Sequence, residues 1–166
     1  MNHQFSQKVS EVLSYSREEA VRLGNGYIGA GHLLLGLIRS GEGRAIEVLN
    51  NLSVDLREVK SQLDSDLRAS AGRQEDGIAF FSRIDSLSLN EEASRLLKLS
   101  ALEARVQRKA EVDTEHVLLA ILKEGNNMAA KILKDNRVNY QLAYNQLTGQ
   151  RPGMGFGLDD EDDDDE

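Results

Sequence analysis

The chain contains one long passage twice. Sliding the sequence along itself by 84 positions aligns Phe5 to Leu63 with Leu89 to Leu147 without a gap. Identities fall at His32/His116, Leu34/Leu118, Leu35/Leu119, Gly41/Gly125, Ala45/Ala129, Leu49/Leu133 and Val54/Val138, and apolar character agrees at many further pairs. Two copies are fewer than the roughly three an open solenoid requires. The repeat therefore predicts a pseudo-twofold globule whose copies bury one another. With 166 residues, 40% of them hydrophobic, such a domain would bury roughly two-thirds of the surface its unfolded chain exposes.

Each copy parses into four helices, so the predicted class is all-α. Ser6 can cap a first helix whose Val9, Val12, Leu13, Ala20 and Leu23 fall at helical spacing, and Gly24 ends it. Asn90 opens the matching helix, with Glu91 and Glu92 set against the dipole. The second helices, HLLLGLIR and EHVLLAILK, are apolar nearly all round and should lie at the centre. Gly36 in one, where the other has Ala120, predicts a close helix crossing. Short third helices follow at about 44–50 and 128–134. The fourth start after Asp55, which has Glu58 at capping-box spacing, and after Asn139. No strand pattern competes over any long window.

This divides residues 1–148 into repeat one (5–63), a Ser-, Asp- and Gly-rich connector (64–88) and repeat two (89–147). Ile78, Phe80 and Phe81 are candidates for anchoring the connector to the core. Residues 149–166 read as a flexible linker or tail, with the only proline, several glycines and then DDEDDDDE. Those eight acids account for the whole formal charge of -8, because 20 basic and 20 acidic residues remain elsewhere. The folded part thus has no basic excess of the kind that marks a nucleic-acid surface. No apolar run approaches the roughly 18 residues of a membrane span, and the N-terminus lacks signal-peptide blocks. With no cysteine, disulfides and thiolate metal sites are excluded, and the expected location is cytoplasmic.

The pattern F-S-x-K-V-x-x-V-L, then E-E-A-x-R-L-G-x-x-Y-I-G-x-x-H-L-L-L-G-L-I-R-x-G-E-G, then a second T-E-H-x-L-L-x-I-L-x-E-G, resembles the double Clp repeat that opens the Clp unfoldases of the AAA+ class. Within that group it is most similar to the ClpC and ClpA type, and to ClpC above all. The resemblance covers Phe5 to Leu147. It implies a non-enzymatic domain that receives protein clients and adaptor proteins for an ATPase motor and a ClpP-type peptidase, itself a monomer without nucleic-acid or membrane partners. No phosphate-binding loop is present, since GLIRSGEGRA lacks the required lysine. ATP and Mg are therefore expected only in ATPase modules outside this domain, no cofactor within it, and the chain reads as an N-terminal fragment. Two alternatives stay open: a stand-alone accessory subunit of the ClpT kind, and an unrelated helical scaffold or regulator.

Candidate chemistry is sparse. His32 and His116 open equivalent apolar helices without Cys nearby, so packed histidines making local hydrogen bonds are preferred to metal ligands, and no catalytic residues are assigned. The resemblance implies a phosphoarginine pocket. In it the glutamate of T-E-H, Glu115 beside Thr114, would take the guanidinium, and the helix start at Gly125, Asn126, Asn127 and Met128 would face the phosphate. Copy one has Ala30-Gly31 where copy two has Thr114-Glu115, so a second pocket is not expected. The loops 40–44 and 124–128, with Arg39, Glu42 and Arg44 adding charge, are the candidate adaptor surface.

Overall fold

In a computed structural model, residues 4–71 and 87–149 are described. The expectations for Ile78, Phe80, Phe81 and the acidic run lie outside those residues. Among the described residues the first half holds α1 (Gln7–Leu23), α2 (Ala30–Ser40), α3 (Arg44–Asn51) and α4 (Leu56–Ala69). The second holds α5 (Glu91–Val106), α6 (Thr114–Glu124), α7 (Met128–Asp135) and α8 (Tyr140–Thr148). The all-α class is correct, and none of these helices is long and apolar enough to cross a membrane.

The capping residues act as their chemistry requires. Ser6 accepts from the Val9 amide, Asn90 from Ala93, Asn139 from Leu142, and Asp55 from both Arg57 and Glu58. Each satisfies amides that a helix start leaves without partners. Gly24 ends α1 at φ +79°, in the left-handed region that glycine enters without strain. One boundary differs from the sequence reading: α4 runs to Ala69, beyond the point where the connector was expected to begin. Its buried stripe of Val59, Leu63 and Leu67 continues at four-residue spacing through the Ser- and Asp-rich stretch.

The halves interlock. Strand β1 (Gln4–Phe5) pairs in parallel with β2 (Glu111–Val112), just ahead of α6. Ile28, just ahead of α2, bridges Leu89 in the same sense. The Ser6 amide donates to the Val112 carbonyl and the Asn90 amide to the Ile28 carbonyl, both at 2.9 Å. Residues 6 and 90, like 28 and 112, are repeat equivalents, so one contact is the pseudo-twofold image of the other. These two-residue pairings are too short to leave an alternating pattern in the sequence. The third helices also cross over: α3 packs on α6 and α8, and α7 on α2 and α4.

Helices α2 and α6 form the centre. Leu33, Leu34, Leu35, Leu37, Leu118, Leu119 and Ile121 are all at most 1% exposed, each contributing about 1.5–3 kcal/mol of apolar burial. Gly36 lies where α1 crosses α2. A β-carbon there would collide with the Ser16 hydroxyl and come within 2.6 Å of the Val12 carbonyl oxygen. Two buried carboxylates at equivalent positions join first helix to second. Glu19 accepts from Arg22 at 2.6 Å and Arg39 at 3.3 Å, and Glu103 meets Lys123 at 3.4 Å and the Tyr140 hydroxyl at 3.0 Å.

Candidate functional site

The first turn of α6 is built from both halves. Asp113 caps it, accepting from the Thr114 amide at 2.8 Å and from the Ser6 hydroxyl at 3.0 Å. Thr114 is fully buried, and its hydroxyl oxygen accepts from the Ala45 amide at 3.2 Å, on the first turn of α3. That turn has no side-chain cap of its own, because its N-cap is Gly43 at φ +104°. A β-carbon at Gly43 would stand 2.9 Å from the Thr114 hydroxyl oxygen. Glycine is what lets the two helix starts approach this closely.

Beside Thr114 lies a pocket of about 610 Å³, lined by Gln4 of β1, Arg44 of α3, Lys109, Ala110 and Glu111 around β2, and Asp113, Glu115 and His116 of α6. Glu115 is only 4% exposed and its Oε1 has no hydrogen-bond partner. Burial raises its pKa. The Asp113 charge adds to that effect, while its own backbone amide, Arg44 and Lys109 oppose it. His116 is 1% exposed; its Nδ1 accepts from the Asp113 amide at 2.9 Å, and its Nε2 has no partner. Burial lowers its pKa, which favours the neutral ring. Arg44 is exposed at the rim, donating to the Leu147 carbonyl at 3.2 Å, and Lys109 is exposed as well. A buried acceptor and a buried donor thus sit under two cations. Such a site suits a ligand carrying a cationic fork and an anionic group side by side.

The structure brings together Thr114, Glu115 and Arg44 of the residues singled out from sequence, and separates the others. Gly125, Asn126, Asn127 and Met128 stand at the far end of α6 from Glu115, about 15 Å away at a helical rise of 1.5 Å per residue. That helix start is also occupied from within. The Asn127 side chain accepts from Ala130 at 2.7 Å and donates to the Ile121 carbonyl and to Glu124, and Glu124 further accepts from the Asn126 amide. The helix start facing Glu115 is that of α3, from the other half. The start of α7 instead faces Gly31, the repeat equivalent of Glu115. Arg39 is committed to Glu18 and Glu19 and lies over the Tyr15 ring at 4.7 Å. Glu42 pairs with Lys8 at 3.2 Å and remains largely exposed. Neither lines the pocket.

At the equivalent place in the first half the same scaffold is closed. A β-carbon on Gly31 would lie 3.2 Å from Leu67 Cδ1 and 3.3 Å from the Met128 sulfur. Met128 stands where the second half has Arg44, and Asn25 where it has Lys109. His32 keeps the bond from the Gly29 amide to Nδ1 at 2.9 Å, and its Nε2 lies 2.8 Å from Asn25 Oδ1. Asn25 in turn donates to the Leu67 carbonyl at 3.0 Å. The expectation of a packed, locally bonded histidine holds fully for His32 and for one nitrogen of His116. Lys109, Glu111 and His116 were missed as pocket residues, although overlaying the copies already exposes the Asn25/Lys109 exchange.

Comparison with known proteins agrees with this architecture. The family described as the Clp repeat (R) N-terminal domain matches residues 4–136. The chain is 34% identical over 143 residues to a chaperone protein ClpB of Oceanobacillus iheyensis, and 32% over 143 residues to the negative regulator of genetic competence ClpC/MecB of Bacillus subtilis. Each alignment covers 86% of this chain and 16% of the relative's length. The N-terminal domain of the caseinolytic protease associated chaperone ClpD from Arabidopsis thaliana superposes with a TM-score of 0.67 at 19% identity, covering 88% of this chain and 96% of that one. That superposition speaks for the fold. Because the matched family spans most of the chain and both repeats are present, this protein belongs to the Clp repeat N-terminal domain family.

Proposed function

We propose that this domain receives client and adaptor proteins for a cytoplasmic Clp unfoldase, and that its pocket takes a phosphorylated arginine side chain. The observation that carries this reading is the buried, unpartnered carboxylate oxygen of Glu115 beneath Arg44 and Lys109. A carboxylate matches a guanidinium fork, and two cations at the start of a helix suit the adjoining phosphoryl group. Loop 40–44, which delivers Arg44, forms the rim that an adaptor would meet. The domain performs no chemistry itself. ATP hydrolysis with its Mg, and delivery to a ClpP-type peptidase, belong in this reading to ATPase modules beyond the present chain.

Calorimetric titration of a phosphoarginine peptide against wild type, Glu115→Ala and Arg44→Ala tests the pocket. Both substitutions should weaken binding at least tenfold, as expected when one partner of a charge-assisted pair is removed. Unmodified arginine and phosphoserine peptides should bind far more weakly than phosphoarginine. Equal affinity of wild type and Glu115→Ala would remove the carboxylate from recognition.

A further inference from the structure

We infer that His116 is a second anchor of the pocket: its Nε2–H donates to a phosphoryl oxygen of the ligand that Glu115 holds by its guanidinium. This rests on the pocket reading above and adds a recognition group to it.

The tautomer follows from a backbone bond. The Asp113 amide can only donate, so Nδ1, 2.9 Å away, must accept. In the neutral ring the proton then sits on Nε2. That N–H is buried and has no partner, a situation that destabilises a fold when nothing compensates. The first half shows how the scaffold satisfies the same atom, because His32 has the same Nδ1 bond and its Nε2 meets Asn25 Oδ1 at 2.8 Å. In the second half Lys109 takes that position. A lysine offers donors only, so it cannot accept from His116. One exchange thus frees the histidine donor and adds a cation to the rim of the same pocket. Glu115, the adjacent residue, contributes the complementary unpartnered acceptor. In a phosphorylated guanidinium the cationic fork and the phosphoryl oxygens are joined through one nitrogen, so neighbouring acceptor and donor groups can be met by a single side chain.

Long-range proton–nitrogen NMR on the histidine-labelled chain reads this directly during titration with phosphoarginine. The Nε2 proton of His116 should shift as the ligand saturates, while that of His32, already bonded, should not move. His116→Phe should lose roughly tenfold in affinity. His116→Gln keeps an acceptor for the Asp113 amide and an amide donor, and should retain most of it. If wild type binds and Glu115→Ala weakens binding, yet the His116 signal stays still, the histidine has no part and the pocket reading survives. If wild type does not bind phosphoarginine at all, both readings fall.

Discussion

The two halves share a backbone plan and differ in how they use the start of their second helix. In the first half, Gly31, Asn25, Met128 and Leu67 pack or bond every group, and the helix start is purely structural. In the second, Glu115, Lys109 and Arg44 occupy the equivalent positions of Gly31, Asn25 and Met128, and the same geometry opens into a pocket. Duplication thus fixes where a site can form, and a few side chains decide whether it does. Because the third helices cross over, each site draws on both copies, so neither half would own a complete pocket if separated.

The largest expected effect comes from forcing the first half to resemble the second. Gly31→Glu would press a carboxylate against Leu67 and Met128, the latter standing where the second half has Arg44. It should cost about 4 kcal/mol or more in urea denaturation, because overpacking and a buried charge act together. Gaining a second ligand site without that loss would mean the first-half cleft is open after all.

Acid titration should separate the halves next. Burial lowers the His32 pKa from 6.5 to about 4, with the Glu19 charge opposing. Between those values the unfolded chain binds the extra proton, so stability is fully present above pH 6.5 and is lost as pH falls towards 4. The loss amounts to about 3 kcal/mol. His32→Gln, which still offers an acceptor to the Gly29 amide, should shrink that limb and leave the share of His116, whose pKa burial also lowers. An unchanged acid limb would place the sensitivity elsewhere.

The smallest effect sits at the helix crossing. Gly36→Ala should destabilise by about 1–3 kcal/mol, since its β-carbon meets the Ser16 hydroxyl and the Val12 carbonyl. Ala120→Gly, the reciprocal change, should cost about 1 kcal/mol or somewhat more, through helix propensity and the loss of a buried methyl. Equilibrium denaturation of both variants checks the crossing, and a neutral or stabilising Gly36→Ala would mean that α1 does not approach α2 this closely.

What was legible in the sequence follows from locality. Ser6, Asn90, Asp55, Asn139 and Gly24 act within one helical turn, so their roles could be read from spacing. The all-apolar second helices announced their burial in the same way. Contacts between halves left no such trace. The Phe5–Val112 and Leu89–Ile28 pairings are two residues long or less. The choice of which third helix faces which second helix depends on the pseudo-twofold, and a repeat alignment does not supply that. Glu115 can be singled out because its motif is local, whereas the helix start it lies beside, that of α3 rather than 125–128, cannot, because crossing over is not visible in one dimension. Arg39 looked like free surface charge for a related reason: its partner Glu19 lies on another helix.

One phosphoarginine site per chain, assembled across the halves at Glu115, is the central proposal. Binding stoichiometry measured by calorimetry with phosphoarginine tests that most directly. One ligand per chain, abolished in Glu115→Ala, is the predicted result. Two ligands per chain, or one that persists in Glu115→Ala, would contradict it.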